Sequence, residues 1–202
     1  MFKVCIISCG LIANSAHIPA YRQFSDDFEI VAVSDINPAA AQDTAKRHGI
    51  DRFYTDASEM LEKEKPDVVS VCVPNCFHKE YTLMALNAGA NVLCEKPLAF
   101  TAADADEMFA AAKRNGKLLM ACQSMRFTPD RLAAKKFIDD GNMDKIYYGE
   151  LARVRRRGIP TWGTFHIKKI SCGGAFVDIG VHMLDALVWL MGNPKISSVH
   201  GV

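Results

Sequence analysis

The sequence has no excess of charge of either sign. Its 24 lysines and arginines nearly balance 23 aspartates and glutamates, and the formal net charge is +1. Such a chain has no overall field that would attract nucleic acid or an anionic membrane. The single basic run, Arg153-Val154-Arg155-Arg156-Arg157, is interpreted as one face of a strand followed by a solvated loop, which can also face an anionic substrate or a partner. We therefore expect no nucleic-acid partner.

The sequence also lacks paired cysteines. It has seven cysteines, an odd number, and none of them forms a C-x-x-C pair. This pattern argues against a zinc site and against a disulfide framework, and it predicts reduced thiols in a cytoplasmic protein. Most of the cysteines are expected to be small core residues.

Long apolar runs are the third absence. No stretch approaches the ~20 apolar residues that a membrane-spanning helix needs, so no membrane span is predicted. The short apolar run from Val4 to Ala13 follows a lysine, which is also typical of a signal peptide. We interpret it as a first strand and turn, because the segments that follow continue a strand–helix alternation.

What the sequence does contain is a regular alternation of strands and helices over residues 1–122. Half of the 202 residues are hydrophobic, which is enough for a sizeable core. Strands that alternate with helices at this spacing predict an α/β fold with a doubly wound parallel sheet. The predicted strands are 3–8, 28–34, 52–54, 67–73, 91–94 and 117–122, and the predicted helices are 12–24, 38–48, 57–63, 78–88 and 101–115.

The pattern changes in residues 123–202, which are predicted to form part of a second domain. Residues 129–140 read as a helix, and Ile146–Arg155 alternates as an antiparallel, half-buried strand would. A polar loop over 156–174 precedes a helix over 175–191, and a strand begins at Ile196. We therefore expect an incomplete α/β (α+β) domain with an antiparallel sheet.

The turn after the first strand is typical of a dinucleotide-binding site. Ser8-Cys9-Gly10-Leu11-Ile12-Ala13 matches G-x-G-x-x-G/A at its second and third small positions. Gly10 would let the backbone approach a pyrophosphate at a helix N-terminus. Asp35 ends the second strand, where a carboxylate accepts hydrogen bonds from ribose hydroxyls and repels a 2′-phosphate. This favours NAD over NADP, although Asp35 could instead be a cap or turn residue before Pro38.

Polar residues also follow the later strands, at the edge where open α/β sheets bind ligands. Lys96, in Glu95-Lys96-Pro97, is positioned to hold the oxygen of a substrate whose carbon exchanges hydride with a nicotinamide. The alternative is an ordinary surface lysine. Pro97 can form a cis peptide bond. Asn75, after Pro74, either contacts the cofactor or shapes a turn, and His78 is expected to open the next helix rather than to act chemically.

Asp178 and His182 form a third candidate pair. They are spaced i, i+4, so they share one face of the predicted helix. Histidine is the natural acid or base near neutral pH, and a neighbouring carboxylate can orient it. The alternative is a helix salt bridge. A metal site would need a third ligand that the pattern does not provide, so no metal is predicted.

Together these motifs resemble the glucose-fructose oxidoreductase / inositol dehydrogenase / MocA (Gfo/Idh/MocA) family. The matching pieces run in order along the chain, namely 6–13 with 17–20, 73–75 with His78, 88–97, 125–127 with Pro129, and 173–182. The resemblance implies a Rossmann domain, a second domain whose open sheet forms homo-oligomers, and hydride transfer between NAD(P) and a sugar, polyol or related cyclic alcohol. It implies that Lys96, Asp178 and His182 are catalytic.

The resemblance also implies a cofactor-binding set and shows two departures. The cofactor-binding residues would be Ser8, Gly10, Leu11, Ile12, Asp35, Pro74, Asn75, Glu95 and Lys96. Ser8 stands where the family usually has its first glycine, and the chain is much shorter than family members, so the second domain is expected to be incomplete. Two alternatives remain, a non-catalytic dinucleotide-binding module or inactive truncated member, and a sugar-phosphate or biliverdin-type reductase of related architecture.

Overall fold

The computed structural model describes residues 1–154, 156–158, 163–164 and 166–201. The chain divides into two compact units. The first unit comprises Met1–Cys122 together with Lys169–Cys172, and the second comprises Gln123–Lys168 and Gly173–Val202. Each unit is described by itself.

The first unit is built on a sheet of six parallel strands. The strands are β1 (Phe2–Ile7), β2 (Phe28–Ser34), β3 (Arg52–Tyr54), β4 (Val68–Val71), β5 (Asn91–Cys94) and β6 (Leu119–Ala121). Their order across the sheet is β3-β2-β1-β4-β5-β6, and every neighbouring pair is parallel. This order is that of a dinucleotide-binding fold whose strand order reverses between β1 and β4. The predicted doubly wound Rossmann sheet is confirmed.

The helices of the first unit begin and end where their flanking residues can satisfy free backbone groups. They are α1 (Ile18–Gln23), preceded by a π-helical turn at Ala13–His17, α2 (Pro38–His48), α3 (Ala57–Glu64), α4 (His78–Asn87), preceded by a 3₁₀ turn at Asn75–Phe77, and α5 (Ala102–Arg114). The side chains of Asn37, Asp56 and Thr101 accept hydrogen bonds from backbone amides in the first turns of α2, α3 and α5. Gly49 follows α2 in the left-handed conformation that favours glycine.

The sheet is buried on both faces, as its continuous apolar strands require. Successive side chains of a strand point to opposite faces. In β1, Cys5 and Ile7 belong to one buried cluster, whereas Val4 and Ile6 belong to another. The core of the first unit is therefore two apolar layers separated by the sheet.

Ile6 lies at the centre of this core and is fully buried. We expect Ile6→Val to lower the free energy of unfolding by about 0.5–1.5 kcal/mol, because one buried methylene is lost and a small cavity remains. The matched control is Ile36→Val, at a side chain that is 85% exposed, which should change stability by no more than about 0.5 kcal/mol. Urea unfolding of the two variants, followed by circular dichroism, checks this. Equal stabilities would contradict it.

Over its described residues, the regular structure of the second unit is helical. Its elements are a 3₁₀ turn at Ser124–Phe127, α6 (Pro129–Phe137), a π-helical turn at Ile138–Asn142, and α8 (Val181–Leu190), which follows a π-helical turn at Phe176–Gly180. The Arg126 guanidinium donates to both carboxylate oxygens of Asp185, through Nε at 2.7 Å and Nη2 at 2.5 Å. Arg126 also lies over the Trp189 ring, 5.9 Å from its centroid. These contacts join the segment before α6 to α8.

Over the part of the chain that the structure describes, the antiparallel sheet expected in the second domain is not formed. The strands predicted at Ile146–Arg155 and from Ile196 are absent over 143–154 and 193–201, and Arg155 and Val202 lie outside the described residues. A strand exists only when a neighbour completes its hydrogen-bond ladder, and the described part of this unit offers no such neighbour. Tyr147 and Val154 are accordingly 93% exposed.

Two further expectations need correction. The segment predicted as a loop over 156–174 contains a short helix, α7 (Lys168–Ser171), although five of its residues lie outside the described chain, namely 159–162 and 165. The expectation that no apolar stretch reaches membrane-spanning length was also wrong. By length and composition alone, the helical run Lys168–Leu190 could cross a membrane. This is weak evidence, since a core helix of a soluble protein passes the same test.

Candidate active site

The parallel sheet brings four of the predicted residues to one edge. The carboxyl ends of parallel strands meet at the same edge, and open α/β sheets bind ligands in the crevice at the point where their order reverses. Ser8 follows β1, Asp35 follows β2, Pro74 follows β4, and Glu95 follows β5. The switch point lies between β1 and β4, next to Ser8 and Pro74.

Asp35 binds the turn that follows β1. Its Oδ2 accepts hydrogen bonds from the Cys9 amide at 2.8 Å and from the Ser8 hydroxyl at 3.3 Å. Its Oδ1 accepts one from the Asn37 amide at 2.9 Å. The cap of α2 is Asn37, so the alternative of Asp35 as a helix cap is wrong. Asp35 does support the turn, which leaves its ribose role as a prediction.

Ser8 and Gly10 differ in backbone conformation and in the space around them. Ser8 has φ of 78°, in the left-handed region that glycine adopts most readily. A Cβ built on Gly10 would meet only the Ser8 hydroxyl, at 3.8 Å. The protein itself therefore leaves room for a side chain at Gly10. Leu11 and Ile12 follow at the helix start, where they are 65% and 39% exposed.

A cavity of about 480 Å³ lies beside this turn. Three of the predicted cofactor-binding residues line it, namely Ser8, Asp35 and Pro74. The aromatic rings of Phe77 and Tyr81 also line it and meet edge to face, with centroids 6.5 Å apart. The side-chain amide of Asn75 instead donates to the Ser171 carbonyl at 2.7 Å, which supports the turn-shaping alternative for this residue.

The segment that carries Lys96 is held by a buried histidine. His78 is fully buried, with Nδ1 2.7 Å from the Pro97 carbonyl oxygen and Nε2 3.0 Å from that of Val73. It begins α4, as predicted, but its ring does more than open a helix. The Lys96–Pro97 peptide bond is cis, which confirms the expectation for Pro97.

His17 is the residue that sequence reasoning missed. It lies in the π-helical turn after β1, is 5% exposed, and its Nε2 donates to Glu95 Oε1 at 2.9 Å. Burial raises the pKa of Glu95, but the bond and charge of His17, the Lys96 amide and the Cys122 thiol together outweigh it, and the pKa lies below its ordinary value. The available signal was a lone histidine within an apolar helix start, which the residue pattern alone does not distinguish from an ordinary core histidine.

The carboxylate of Glu95 also faces a cysteine. One donor atom each of His17, Glu95 and Cys122 lies within 4.8 Å of the others, a spacing that could hold a metal ion. Burial first, and then the negative charge of Glu95, raises the pKa of Cys122 to about 12, so its thiol is protonated near neutral pH. The histidine–carboxylate bond already satisfies the two other groups.

Asp178 and His182 lie in the second unit, whereas Lys96 lies in the first. Asp178 is part of the π-helical turn Phe176–Gly180, and His182 is the second residue of α8. Single π-helical turns inside helices are rare overall, but those that occur are frequently found at functional sites. Their assembly with Lys96 into one catalytic set remains a prediction.

His78 gives the first unit a pH dependence whose sign can be derived. Burial lowers the pKa of His78, against the opposing effect of the Pro97 and Val73 carbonyls. The folded state therefore favours the neutral ring, and its stabilisation is present above the unfolded pKa of about 6.5 and is lost as the pH falls through the folded value.

We expect the stability difference between the wild type and His78→Gln to narrow as the pH falls from about 7.5 towards 5. Glutamine does not titrate, so only the wild type loses stability through this group. Urea unfolding at each pH measures the difference. His200→Gln, at an exposed position, is the control, and a gap that stays constant for His78→Gln would contradict the prediction.

The fold defines a class, the proteins with a Rossmann domain of the dinucleotide-binding type. Residues 2–123 match the model of the GFO_IDH_MocA oxidoreductase family with its NAD-binding Rossmann fold, and residues 132–202 match the GFO/IDH/MocA C-terminal domain. The chain therefore belongs to the Gfo/Idh/MocA family.

Similar proteins include dehydrogenases of sugars and cyclic polyols. D-glucoside 3-dehydrogenase of Escherichia coli is 41% identical over 98% of this chain and 56% of its own length. The scyllo-inositol 2-dehydrogenase (NADP(+)) of Bacillus subtilis is 30% identical over 87% of the chain and 55% of its own length. A levoglucosan dehydrogenase solved with NADH and levoglucosan has a TM-score of 0.79 at 26% identity, over 95% of this chain and 53% of that one. The chain thus spans about half the length of these relatives.

Proposed function

We propose that the chain binds a nicotinamide dinucleotide at the carboxyl edge of its parallel sheet. The observation that carries the proposal is the pairing of Gly10, where the protein leaves open space, with Asp35, whose carboxylate lies beside the same turn and lines the adjacent cavity. The helix start after Gly10 supplies amides for a pyrophosphate. The family to which the chain belongs is described by its NAD-binding Rossmann fold.

The proposed activity is hydride transfer between the nicotinamide and a hydroxyl or carbonyl carbon of a sugar, polyol or related molecule. The nicotinamide, when bound, would accept the hydride in the oxidation direction. His182 takes the hydroxyl proton of the substrate, and Lys96 stabilises the negative charge that develops on that oxygen. Asp178 orients His182 or binds a neighbouring hydroxyl. The substrate class is supported by the similarity to D-glucoside 3-dehydrogenase and to a levoglucosan dehydrogenase solved with its sugar.

NAD is the proposed cofactor rather than NADP. A carboxylate at Asp35 would accept hydrogen bonds from the adenosine ribose and repel a 2′-phosphate. The similarity to a relative named for NADP(+) makes NADPH the necessary comparison in any binding experiment.

A cytoplasmic location is proposed from the thiols. All seven cysteines are free, which suits a reducing compartment.

Assembly into a homo-oligomer is a further proposal, carried by the family resemblance alone, and sedimentation analysis tests it.

A titration with NADH, followed by nicotinamide fluorescence, tests the cofactor site. We expect saturable binding by the chain and weaker binding of NADPH. Gly10→Ala should reduce the affinity for NADH by about tenfold or more, because the methyl group occupies space left for the pyrophosphate. Its melting temperature should be unchanged, since no protein atom contacts the added carbon closely.

The matched control is Gly201→Ala, at an exposed glycine whose added Cβ meets nothing within 4 Å. It should bind NADH like the wild type. Saturable NADH binding that Gly10→Ala does not weaken would contradict the placement of the pyrophosphate, and no binding by the wild type would contradict the proposed site itself.

A second candidate function is a dinucleotide-binding module without catalysis. The specific observation in its favour is that the predicted cofactor-binding residues all lie in the first unit, whereas Asp178 and His182 lie in the second. Turnover with a panel of sugars and cyclic polyols discriminates the two. NADH binding without turnover of any of them would favour the module.

A further inference from the structure

Two buried histidines converge on one short segment of the first unit. His17 comes from the π-helical turn after β1, and His78 is the first residue of α4. Both contact the tripeptide Glu95-Lys96-Pro97, one on each side of Lys96. Neither was predicted as a site residue.

On one side, the His17 ring is held at both nitrogens. Nε2 donates to Glu95 Oε1 at 2.9 Å, and Nδ1 lies 3.2 Å from the hydroxyl of Ser70, a fully buried residue of β4. The Ser70 hydroxyl is also 3.0 Å from the Tyr21 hydroxyl. The second oxygen of Glu95 accepts a hydrogen bond from the Lys96 amide at 3.1 Å. The chain of contacts therefore runs from the sheet to the backbone of Lys96.

On the other side, His78 holds the next residue. Its Nδ1 is 2.7 Å from the Pro97 carbonyl oxygen, and its Nε2 is 3.0 Å from the Val73 carbonyl oxygen at the end of the neighbouring strand. A neutral ring has one N–H, and the shorter distance favours its donation from Nδ1 to the Pro97 carbonyl, while the ring lies between two loops that leave adjacent strands, β4 and β5. The segment is thus held at the Lys96 amide, by Glu95, and at the Pro97 carbonyl, by the buried His78.

Core volume alone does not require a histidine at either of these two positions. A buried polar group costs free energy unless it is hydrogen-bonded, and a core position is satisfied by volume alone. Both rings direct hydrogen-bonding atoms at the segment of Lys96. A misplacement of about 1 Å can lower a catalysed rate about 10²-fold, so the backbone that carries a reacting group needs such support.

We propose that His17 and His78 are positioning residues that fix the backbone at Lys96 and so place its ammonium group at the substrate oxygen. This proposal rests on the proposed function, because a positioning role has a catalytic effect only if Lys96 acts on the substrate. It adds two residues that act through Lys96 rather than on the substrate.

The test compares an apolar and a conservative variant at each position. His17→Leu and His78→Leu remove the hydrogen bonds, whereas His17→Gln and His78→Asn retain a nitrogen donor near the position of Nε2 or Nδ1. Hydrogen-exchange mass spectrometry follows the peptide that contains Lys96, whose amide bonds to Glu95. Its readout requires neither cofactor nor turnover, so a failure of the proposed function leaves it informative.

We expect the Leu variants to exchange about tenfold faster in the Lys96 peptide than the wild type, with protection recovered in the conservative variants. Peptides from α5 should be unchanged. With a sugar substrate, the Leu variants should lower kcat about 10–100-fold, with KM and the Kd for NADH within about threefold. A Lys96→Met background should remove most of this further effect, because the histidines act through Lys96.

Two results would overturn the proposal. Unchanged exchange in the Lys96 peptide of folded Leu variants would show that the histidines do not hold this segment. If exchange is faster across all peptides of the first unit, and equally so in the apolar and conservative variants, the histidines contribute to general core stability and not to the positioning of Lys96. Loss of NADH binding or absence of turnover in the wild type would count against the proposed function and not against this proposal, which the exchange data decide.

Discussion

Lys96→Met is expected to lower kcat about 10²–10³-fold, the loss seen when one donor that stabilises a developing oxyanion is removed. Methionine keeps the length and the apolar stem of lysine, so the segment between Glu95 and Pro97 can retain its contacts. What is lost is the positive charge. The Kd for NADH should stay within about threefold of the wild type, because stabilisation made only in the transition state leaves ground-state binding unchanged.

Steady-state kinetics with a sugar or cyclic polyol, together with the NADH titration, measure both quantities. Lys113→Met, at an exposed position of α5, is the matched control and should behave like the wild type. If Lys96→Met turns over as fast as Lys113→Met, the catalytic assignment of Lys96 is wrong. If NADH binding is lost together with turnover, Lys96 is a binding residue.

Asp35→Asn is expected to weaken NADH binding by about 1.5–3 kcal/mol, or roughly 10–150-fold in Kd. The substitution keeps the size of the side chain and one oxygen acceptor, but it removes the charge that strengthens hydrogen bonds from ribose hydroxyls. It also weakens the hydrogen bonds that hold the turn after β1, because in the wild type Asp35 Oδ2 accepts from both Ser8 and Cys9. The loss for NADPH should be smaller, because the repulsion of a 2′-phosphate is removed as well.

Parallel fluorescence titrations with NADH and NADPH give the ratio of the two affinities. Asp26→Asn removes a carboxylate at an exposed position of the same unit, so it controls for a general change of charge. If the ratio of NADH to NADPH affinity is the same in Asp35→Asn and Asp26→Asn, Asp35 does not contact the ribose. If Asp35→Asn weakens the binding of both cofactors equally, Asp35 only supports the turn after β1.

The candidate site shows the limit of prediction from spacing. The motif position of Gly10 and the strand-end positions of Asp35 and Lys96 followed from a local pattern, because residues that end parallel strands share one edge. The role of His17 did not follow, since its partner Glu95 is 78 residues away along the chain. No local pattern connects two such residues before the strand order is known.

The second unit shows the same limit in the fold. The alternation in Ile146–Arg155 is a genuine strand pattern, but the described residues form no strand there. Alternation states which face could be buried, whereas a ladder needs a second strand at hydrogen-bonding distance. The predicted helix over 175–191 formed, as a π-helical turn that leads into α8, because helical hydrogen bonds are internal to the segment.

The sequence by itself therefore determined the elements of the first unit, their parallel arrangement and the edge at which chemistry can occur. Apolar runs, a helix cap such as Thr101, and left-handed glycines act over a few residues, so they can be recognised in the sequence. Only the tertiary structure decided which distant polar groups meet, such as His17 with Glu95 and His78 with Pro97. Buried polar groups must find partners wherever the sheet order brings them, and that order is a property of the whole fold.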